Sequence, residues 1–299
     1  MSTSVAAPAR GRSAVTLMIA GVFWGTGGLS GTLLATKGHL QPLPVAAYRL
    51  LLGGCCTVLF LWARGSLRRM VWTKSVLRRL LAAGVLLAQF QTCYFGAISL
   101  TSVSVSTMVT IGSVPVFVAL VTAIRTRRLP GAVNLVAIGV AVLGLVLLTW
   151  SPEGIPGGWQ LAAGVALALA AGGGFAALTL LTRRPVEGLD AFSTTAFGCL
   201  LGGLLLTPAG LWFGMALPLR ADVLAVALYF GLVPTGIGYA MYFLALRTAP
   251  AVVAALSALL EPLIAAFLSA FVLHDQLGVV GWTGAALLVG ALALTYTRA

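Results

Sequence analysis

Two side chains of opposite charge, Glu261 and Arg49, interrupt long apolar stretches of the sequence. An unpaired charge at the centre of a bilayer costs about 3 kcal/mol, so a carboxylate there takes up a proton, pairs with a cation or faces water. Glu261 is therefore a candidate site for a proton or an ammonium group, and Arg49 is a candidate contact for a carboxylate. The alternative is a structural role for both, tied to nearby serines or backbone, and the sequence leaves it open.

Aromatic and amide side chains recur within three other apolar stretches. They are Trp24, then Gln89, Gln91 and Tyr94, and then Tyr239 and Tyr242. Aromatic faces with a few polar tips suit a ligand that has an apolar body and a zwitterionic head. We predict that all six line a substrate pathway together with Glu261 and Arg49. The alternatives are a packed core ring for Trp24 and interhelical hydrogen bonds for the amides.

Residue types used for catalysis or metal binding are few and scattered. His39 and His274 lie in or near predicted loops, and the sequence has no HExxH motif, which argues against an intramembrane enzyme acting on lipid. The four cysteines form no CxxC pair and are predicted to be small buried hydrophobic side chains: Cys55, Cys56, Cys93 and Cys199. We therefore predict no catalytic centre, no metal site and no cofactor. The sequence contains no phosphate-binding loop, so we do not expect ATP to drive the protein.

The composition predicts an integral membrane protein. Hydrophobic residues make up 60% of the chain, charged residues 8%, and the mean hydropathy is +1.06, whereas a soluble domain has about 25% charged residues. Long unbroken apolar runs such as 135–149 favour helices over a barrel of alternating strands. The net charge of +12 is dispersed among the loops, so it does not predict nucleic-acid binding.

Windows of about 20 apolar residues predict ten transmembrane helices. They lie at 14–36, 42–63, 77–98, 102–124, 131–150, 159–182, 190–213, 222–246, 250–272 and 278–297. Residues 1–13 are predicted to form a cytoplasmic N-terminal tail and not a cleaved signal peptide. Of the 18 basic residues, 15 fall on the side of the two termini. The positive-inside rule therefore predicts a cytoplasmic N-terminus and C-terminus.

The two halves of the sequence, 14–150 and 159–297, resemble one another. Pro115 and Pro262 occupy matching places, 147 residues apart. Each half has an odd number of helices, so the second half enters the membrane from the opposite face. The predicted fold class is an all-α polytopic membrane protein with ten transmembrane helices as two inverted five-helix repeats. Carriers built in this way bind their substrate near the midplane and open to either side in turn.

Proline and glycine residues within the spans mark the places where helices bend or approach each other. Pro115, Pro262, Gly236 and Gly238 are hinge candidates, with static kinks as the alternative. Small residues spaced four apart predict close helix packing: Gly21 and Gly25, and Gly164, Ala168 and Gly172. The stretch after Pro234 is predicted to be partly unwound.

Short motifs along almost the whole chain resemble the drug/metabolite transporter superfamily, and in particular its ten-helix EamA-type members. The motifs are Phe23-Trp24-Gly25, Tyr48-Arg49-Leu50, Val114-Pro115-Val116-Phe117 and Glu261-Pro262-Leu263. Within the superfamily the chain is most similar to the YddG-type aromatic amino-acid exporters. One departure concerns the glutamate that the family often has at the ends of helices 4 and 9, where this chain has Arg127-Arg128 and His274-Asp275.

The pattern and the resemblance together predict a secondary transporter of the bacterial inner membrane. It is expected to export small amphiphilic metabolites, namely aromatic or hydrophobic amino acids, by alternating access. An exporter of cationic drugs, nucleosides or sugars and a passive channel are the alternatives, and coupling to protons or facilitated diffusion stays open. The expected partners are the small-molecule substrate, the lipid bilayer and a second copy of the chain in a homodimer.

Overall fold

The computed structural model describes residues 7–150, 158–272 and 278–298. The first half contains five helices: α1 (Ala7–Gly38), α2 (Pro42–Ala63), α3 (Lys74–Leu100), α4 (Val103–Thr126) and α5 (Ala132–Leu148). The second half contains α6 (Gly158–Thr182), α7 (Ala191–Trp212), α8 (Ala221–Leu246), α9 in two segments (Ala251–Ser257 and Leu260–Val272) and α10 (Val279–Arg298). Within the described residues nine of these helices are long and apolar enough to cross a membrane, and α5, with 17 residues, is shorter.

The ten predicted helices are confirmed, with two corrections. Helix α1 begins at Ala7, inside the predicted tail 1–13, because the residues that follow include alanine and arginine, which favour helix, and Pro8 is tolerated in a first turn. Residues 1–6 lie outside the described residues. Helix α9 was predicted as one span over 250–272, but it is interrupted between Ser257 and Leu260.

The helix pairs of the structure are symmetric under exchange of its two halves. Helix α2 packs against α7 and α5 packs against α10, so each of these helices meets its counterpart in the other half. Helix α3 packs against α6 and α7, as α8 packs against α1 and α2. Helix α4 packs against α6, as α9 packs against α1. Two five-helix units related by a two-fold axis would produce this set of pairs.

Small residues allow these helices to approach closely, as predicted. A Cβ atom at Gly25 would overlap Ile264 of α9, and one at Gly172 would overlap Ser113 of α4. Small-residue packing of this kind is common where helices associate in lipid.

The prediction for the cysteines is wrong in part. Cys199 is buried, Cys56 and Cys93 are half-buried, and Cys55 is exposed on α2. A thiol is apolar enough to face lipid, so a position within an apolar run did not require burial.

The contact between α2 and α7 provides a test of this packing. A Cβ atom at Gly54 would lie 2.5 Å from the backbone nitrogen of Leu200, and a backbone atom cannot move aside as a side chain can. We expect Gly54→Ala to lower the free energy of unfolding by about 1–3 kcal/mol, the usual effect of overpacking. The measurement is the midpoint of thermal unfolding in detergent.

Gly139→Ala is the matched control, because a Cβ atom at Gly139 of α5 would meet nothing within 4 Å. Equal midpoints for the two variants would contradict the described approach of α2 to α7.

Candidate functional site

Trp24 of α1 lies at the centre of an aromatic cluster. Its ring centroid is 5.7 Å from that of Phe175 of α6, 5.3 Å from Tyr239 and 4.9 Å from Tyr242, both of α8. Trp24 is only 2% exposed. Of the two interpretations of Trp24, the structure favours the packed core ring, and the cluster ties α1, α6 and α8 together.

Gly238 has a packing role in this cluster. A Cβ atom at Gly238 would lie 2.9 Å from Nε1 of Trp24, so the absent side chain makes room for the indole. The indole N–H is buried and has no acceptor among the described residues. Leaving a buried donor unpaired costs about 1–3 kcal/mol, so this nitrogen is an unsatisfied polar atom within the ring cluster.

Arg49 of α2 is positioned by an irregular segment of α8. Residues Gly231–Ile237 form a π-helix around Pro234, whose missing N–H cannot bond the carbonyl of Phe230 four residues earlier. The hydroxyl of Thr235 donates to that carbonyl at 2.9 Å and accepts from Nε of Arg49 at 3.2 Å. Cζ of Arg49 also lies 5.4 Å from the ring centroid of Phe230, a cation–π contact. The predicted irregularity after Pro234 thus holds a charged side chain in place.

Glu261 lies where α9 is interrupted. Pro262 has no backbone N–H, and its ring would clash with the carbonyl of Ala258 in a regular helix. The helix therefore stops at Ser257 and resumes at Leu260, and the backbone N–H of Glu261 donates to Ala258 at 3.0 Å. Glu261 belongs to the first turn of the second segment. The N-terminus of a helix carries a partial positive charge, which stabilises a carboxylate at this place.

The two charged side chains within the spans, Arg49 and Glu261, do not form an ion pair. Glu261 and Arg49 are both half-buried and interact electrostatically with one another and with Tyr94 and Tyr239. The ion pairs formed by the described residues are elsewhere, at Lys37–Asp222 and Arg220–Asp222. We call Trp24, Arg49, Tyr94, Tyr239 and Glu261 the central site.

Two tyrosines have their hydroxyl groups held by neighbouring helices. The Tyr94 hydroxyl is 2.7 Å from Oγ1 of Thr107 of α4, and the Tyr242 hydroxyl is 2.9 Å from Oγ1 of Thr179 of α6. Tyr94 is half-buried, whereas Tyr242 is 1% exposed. Tyr94 thus keeps part of its surface exposed, whereas Tyr242 is enclosed and packs against the ring of Trp24.

The two glutamines of α3 differ in their surroundings. The amide of Gln89 donates to the carbonyl of Ala170 at 2.9 Å, and its side chain fills the space beside Gly174 of α6. Gln91 is fully buried, and neither of its amide atoms has a hydrogen-bond partner among the described residues. Gln89 thus forms the interhelical hydrogen bond that was the alternative to lining a pathway. Gln91 instead has unpaired polar atoms inside the bundle.

The hinge candidates are not equivalent. Helix α4 continues through Pro115 without interruption, whereas Pro262 coincides with the break in α9. Gly236 lies within the π-helix, where a Cβ atom would be 2.9 Å from Oγ1 of Thr57 in α2. Backbone irregularity is therefore concentrated in α8 and α9.

Helix α9 differs in burial on the two sides of its break. We call the face with the α6–α7 and α8–α9 connections the basic face, because it carries Arg183, Arg184 and Arg247. There every residue of Ala251–Ser257 is buried, and Ser257 Oγ is 2.6 Å from the hydroxyl of Tyr296. In the second segment residues 264–270 are all partly exposed. The part of α9 that follows Glu261 is therefore less tightly packed than the part that precedes the break.

The contacts that organise the site include residues for which the sequence reasoning did not look. Thr235 and Phe230 hold Arg49, and Phe175 completes the ring cluster. A hydroxyl directly after a proline within a span was a usable signal for Thr235, because such a hydroxyl can serve the carbonyl that the proline leaves unpaired. Phe175 had no comparable signal, since aromatic residues are common in apolar helices.

An apolar ten-helix bundle with Arg49 and Glu261 inside its spans defines the class of polytopic membrane proteins. The model of the EamA-like transporter family matches residues 11–150 and again residues 162–297, one match for each half. The chain belongs to this family and is a multi-pass membrane transporter. The resemblance to the drug/metabolite transporter superfamily is confirmed at this level.

Individual relatives agree with this assignment. Over 273 residues, which are 91% of this chain and 90% of the relative, it is 29% identical to the uncharacterized transporter YwfM of Bacillus subtilis (strain 168). A solved crystal structure has the same fold, with a TM-score of 0.78 and 19% identity over 94% of this chain and 95% of the other.

The support of Arg49 by Thr235 can be tested by removing one hydroxyl. Thr235→Val keeps the shape of the side chain but leaves the Phe230 carbonyl without this donor and Arg49 Nε without its acceptor. We expect a loss of about 2 kcal/mol in the free energy of unfolding, because the bond from Thr235 to the Phe230 carbonyl lies in the buried interior. Chemical or thermal unfolding in detergent measures it.

Thr207→Val is the control, since the Thr207 hydroxyl bonds only to Gly203 of its own helix α7. If the two valine variants unfold alike, the bond between Arg49 and Thr235 does not organise the site.

Proposed function

We propose that the protein exports aromatic or hydrophobic amino acids by alternating access across a bacterial inner membrane. The observation that carries the proposal is the arrangement of Arg49 and Glu261. Side chains of opposite charge type lie within the spans near aromatic rings, both are half-buried, and neither forms an ion pair with a described residue. A zwitterion with an apolar side chain complements such a site, because it supplies both missing charges in one molecule.

The carboxylate of the substrate is assigned to Arg49. Thr235 uses Nε of Arg49, which leaves the two terminal nitrogens of the guanidinium as donors. A planar pair of donors binds a carboxylate through two parallel hydrogen bonds. The fixed direction of the side chain, set by Thr235 and by the Phe230 ring, lowers the entropy lost on binding.

The ammonium group of the substrate is assigned to Glu261. The apolar side chain of the substrate is assigned to the aromatic rings of the central site. The half-buried ring of Tyr94 and the unpaired N–H of Trp24 lie around the same site. Tyrosine and tryptophan combine an apolar body with a polar tip, which suits a ligand of mixed character. This geometry supports an amino acid over a sugar, which would need several more hydrogen-bonding groups.

Alternating access follows from the two halves and the break in α9. The buried segment Ala251–Ser257 seals the basic face, so opening that face requires this segment to move against its neighbours. The positive-inside rule assigns the basic face to the cytoplasm, together with both termini. The conformation described here is then the one that releases substrate outside the cell, and the cytoplasm-open state takes it up.

Selective analogues test the assignment of the two charges. In proteoliposomes that transport labelled phenylalanine, N-acetylphenylalanine lacks the ammonium group and phenylalaninamide lacks the carboxylate. We expect each to compete about tenfold or more weakly than phenylalanine, since each leaves one charge of the site unpaired. In the Glu261→Gln variant, N-acetylphenylalanine should compete as well as phenylalanine, while phenylalaninamide should still compete weakly. In the Arg49→Gln variant, phenylalaninamide should compete as well as phenylalanine, while N-acetylphenylalanine should still compete weakly.

Glu187→Gln and Arg220→Gln are the matched controls, because both residues are exposed on loops. Absence of saturable phenylalanine flux, or stronger competition by nucleosides or cationic drugs, would refute the substrate assignment. Conductance that does not saturate would favour the passive channel instead.

A second experiment addresses energy coupling. We infer that a proton replaces the substrate ammonium group on Glu261 during the return step, because an empty site with a bare carboxylate would be costly to occlude in the bilayer. An imposed pH gradient should then drive uphill movement of phenylalanine in the unmodified protein. Glu261→Gln should retain exchange of labelled for unlabelled phenylalanine but lose this accumulation.

Glu187→Gln serves again as the control, with both activities retained. Undiminished gradient-driven accumulation by the Glu261→Gln variant would rule out a proton site at this residue.

A further inference from the structure

A large cavity lies on the basic face, away from the central site. It occupies about 1120 Å³ between the start of α3 and the connection from α6 to α7. Its polar lining consists of Thr73, Ser75, Arg78, Arg79, Arg184 and Glu187. Three of these side chains are cations and one is an anion, so the cavity carries a net positive charge.

Among the described residues, no acidic side chain forms an ion pair with the arginines of this cavity. Arg79 donates to the carbonyl of Leu181 near the end of α6, and it is close enough to Arg184 for the two cations to repel one another. Glu187 lines the same cavity, but the ion pairs of the described residues do not include it. An anion placed among the arginines would relieve the repulsion and pair with more than one of them.

An apolar strip on α3 lies beside the residues of α3 that line the cavity, with Leu81 and Val85 three and seven residues after Arg78. Leu77, Leu81 and Val85 follow one another at intervals of four residues and are 50%, 47% and 53% exposed. Residues with this spacing share one face of a helix. Trp72, which is 57% exposed, lies just before α3, as expected for a tryptophan at the boundary between lipid and water.

We propose that this cavity binds the headgroup of an anionic phospholipid of the leaflet at the basic face, with an acyl chain along Leu77, Leu81 and Val85. The arginines recognise the phosphodiester, and the hydroxyls of Thr73 and Ser75 are further donors. Free inorganic phosphate has the same charge chemistry, but the apolar strip would give it no additional stabilisation. Basic pockets between helices are a known form of lipid-headgroup site. This site is independent of the proposed substrate.

The test uses the full-length protein in detergent. Binding of phosphatidylglycerol and of phosphatidylcholine is compared by native mass spectrometry and by the shift of the unfolding midpoint. We expect phosphatidylglycerol to bind preferentially, and Arg78→Gln with Arg184→Gln to weaken its binding about tenfold or more. Arg79 is left in place because its bond to Leu181 supports the fold.

Arg125→Gln with Arg127→Gln is the matched control, because it removes the same charge from exposed positions at the end of α4. Normal phosphatidylglycerol binding by this control supports the proposal, provided that the Arg78/Arg184 variant keeps its unfolding midpoint in phosphatidylcholine. Equal loss in both double variants would show a general attraction to the basic face and overturn it. Equal stabilisation by inorganic phosphate, or no preference between the two lipids, would also overturn it.

Discussion

In the interior of a bilayer no water reaches the backbone, so a proline within a spanning helix leaves a carbonyl that the protein itself must satisfy. This constraint shapes the central site. At Pro234 the helix forms a π-helical segment, and the hydroxyl of Thr235 donates to the carbonyl of Phe230. The same hydroxyl accepts a hydrogen bond from Arg49. At Pro262 the answer is an interruption of α9, which places Glu261 in the first turn of a new helical segment. The irregular helical segments at these two prolines thus position the side chains of Arg49 and Glu261.

Close approach of the helices is the second condition for this arrangement. Helix α1 reaches the broken helix α9 because Gly25 has no side chain to meet Ile264, and α1 reaches α8 because Gly238 leaves room for Trp24. A methyl group at Gly25 would push α1, which carries Trp24, away from α9, which carries Glu261, and a methyl group at Gly238 would push the two ring-bearing helices α1 and α8 apart. The glycines have little chemistry of their own, but they determine which functional groups can share one space.

Much of the architecture could be predicted from the sequence, because apolar runs of sufficient length mark the segments that cross the bilayer. The number of helices and most of their ends follow from apolar runs and from breakers such as Pro42 and Pro250. Polar residues within spans are rare, so Arg49 and Glu261 could be selected as site residues from their type alone. Helix α1 could not be bounded in this way, because its first residues favour helix without being apolar.

The finer organisation of the site depends on tertiary contacts that no local pattern contains. Gln89 and Gln91 are two residues apart and chemically identical, yet one amide bonds to Ala170 and the other has no partner among the described residues. Pro115 and Pro262 occupy matching places in the two halves, but only Pro262 interrupts its helix. In each case the neighbouring helix decides the outcome, and the sequence of one span does not specify that neighbour.

The contacts of the two charges also connect the halves of the molecule. Arg49 belongs to the first half and is held by Thr235 of the second, while Glu261 belongs to the second half and lies on the helix that packs against α1 of the first. A relative movement of the halves must therefore either carry the π-helical segment of α8 along with α2 or break the bond between Arg49 and Thr235. Under the proposed function, a substrate carboxylate on Arg49 would offset the loss of that bond, since it supplies a stronger, charged acceptor. That proposal then links occupancy of the site to the freedom of the halves to move through one guanidinium group.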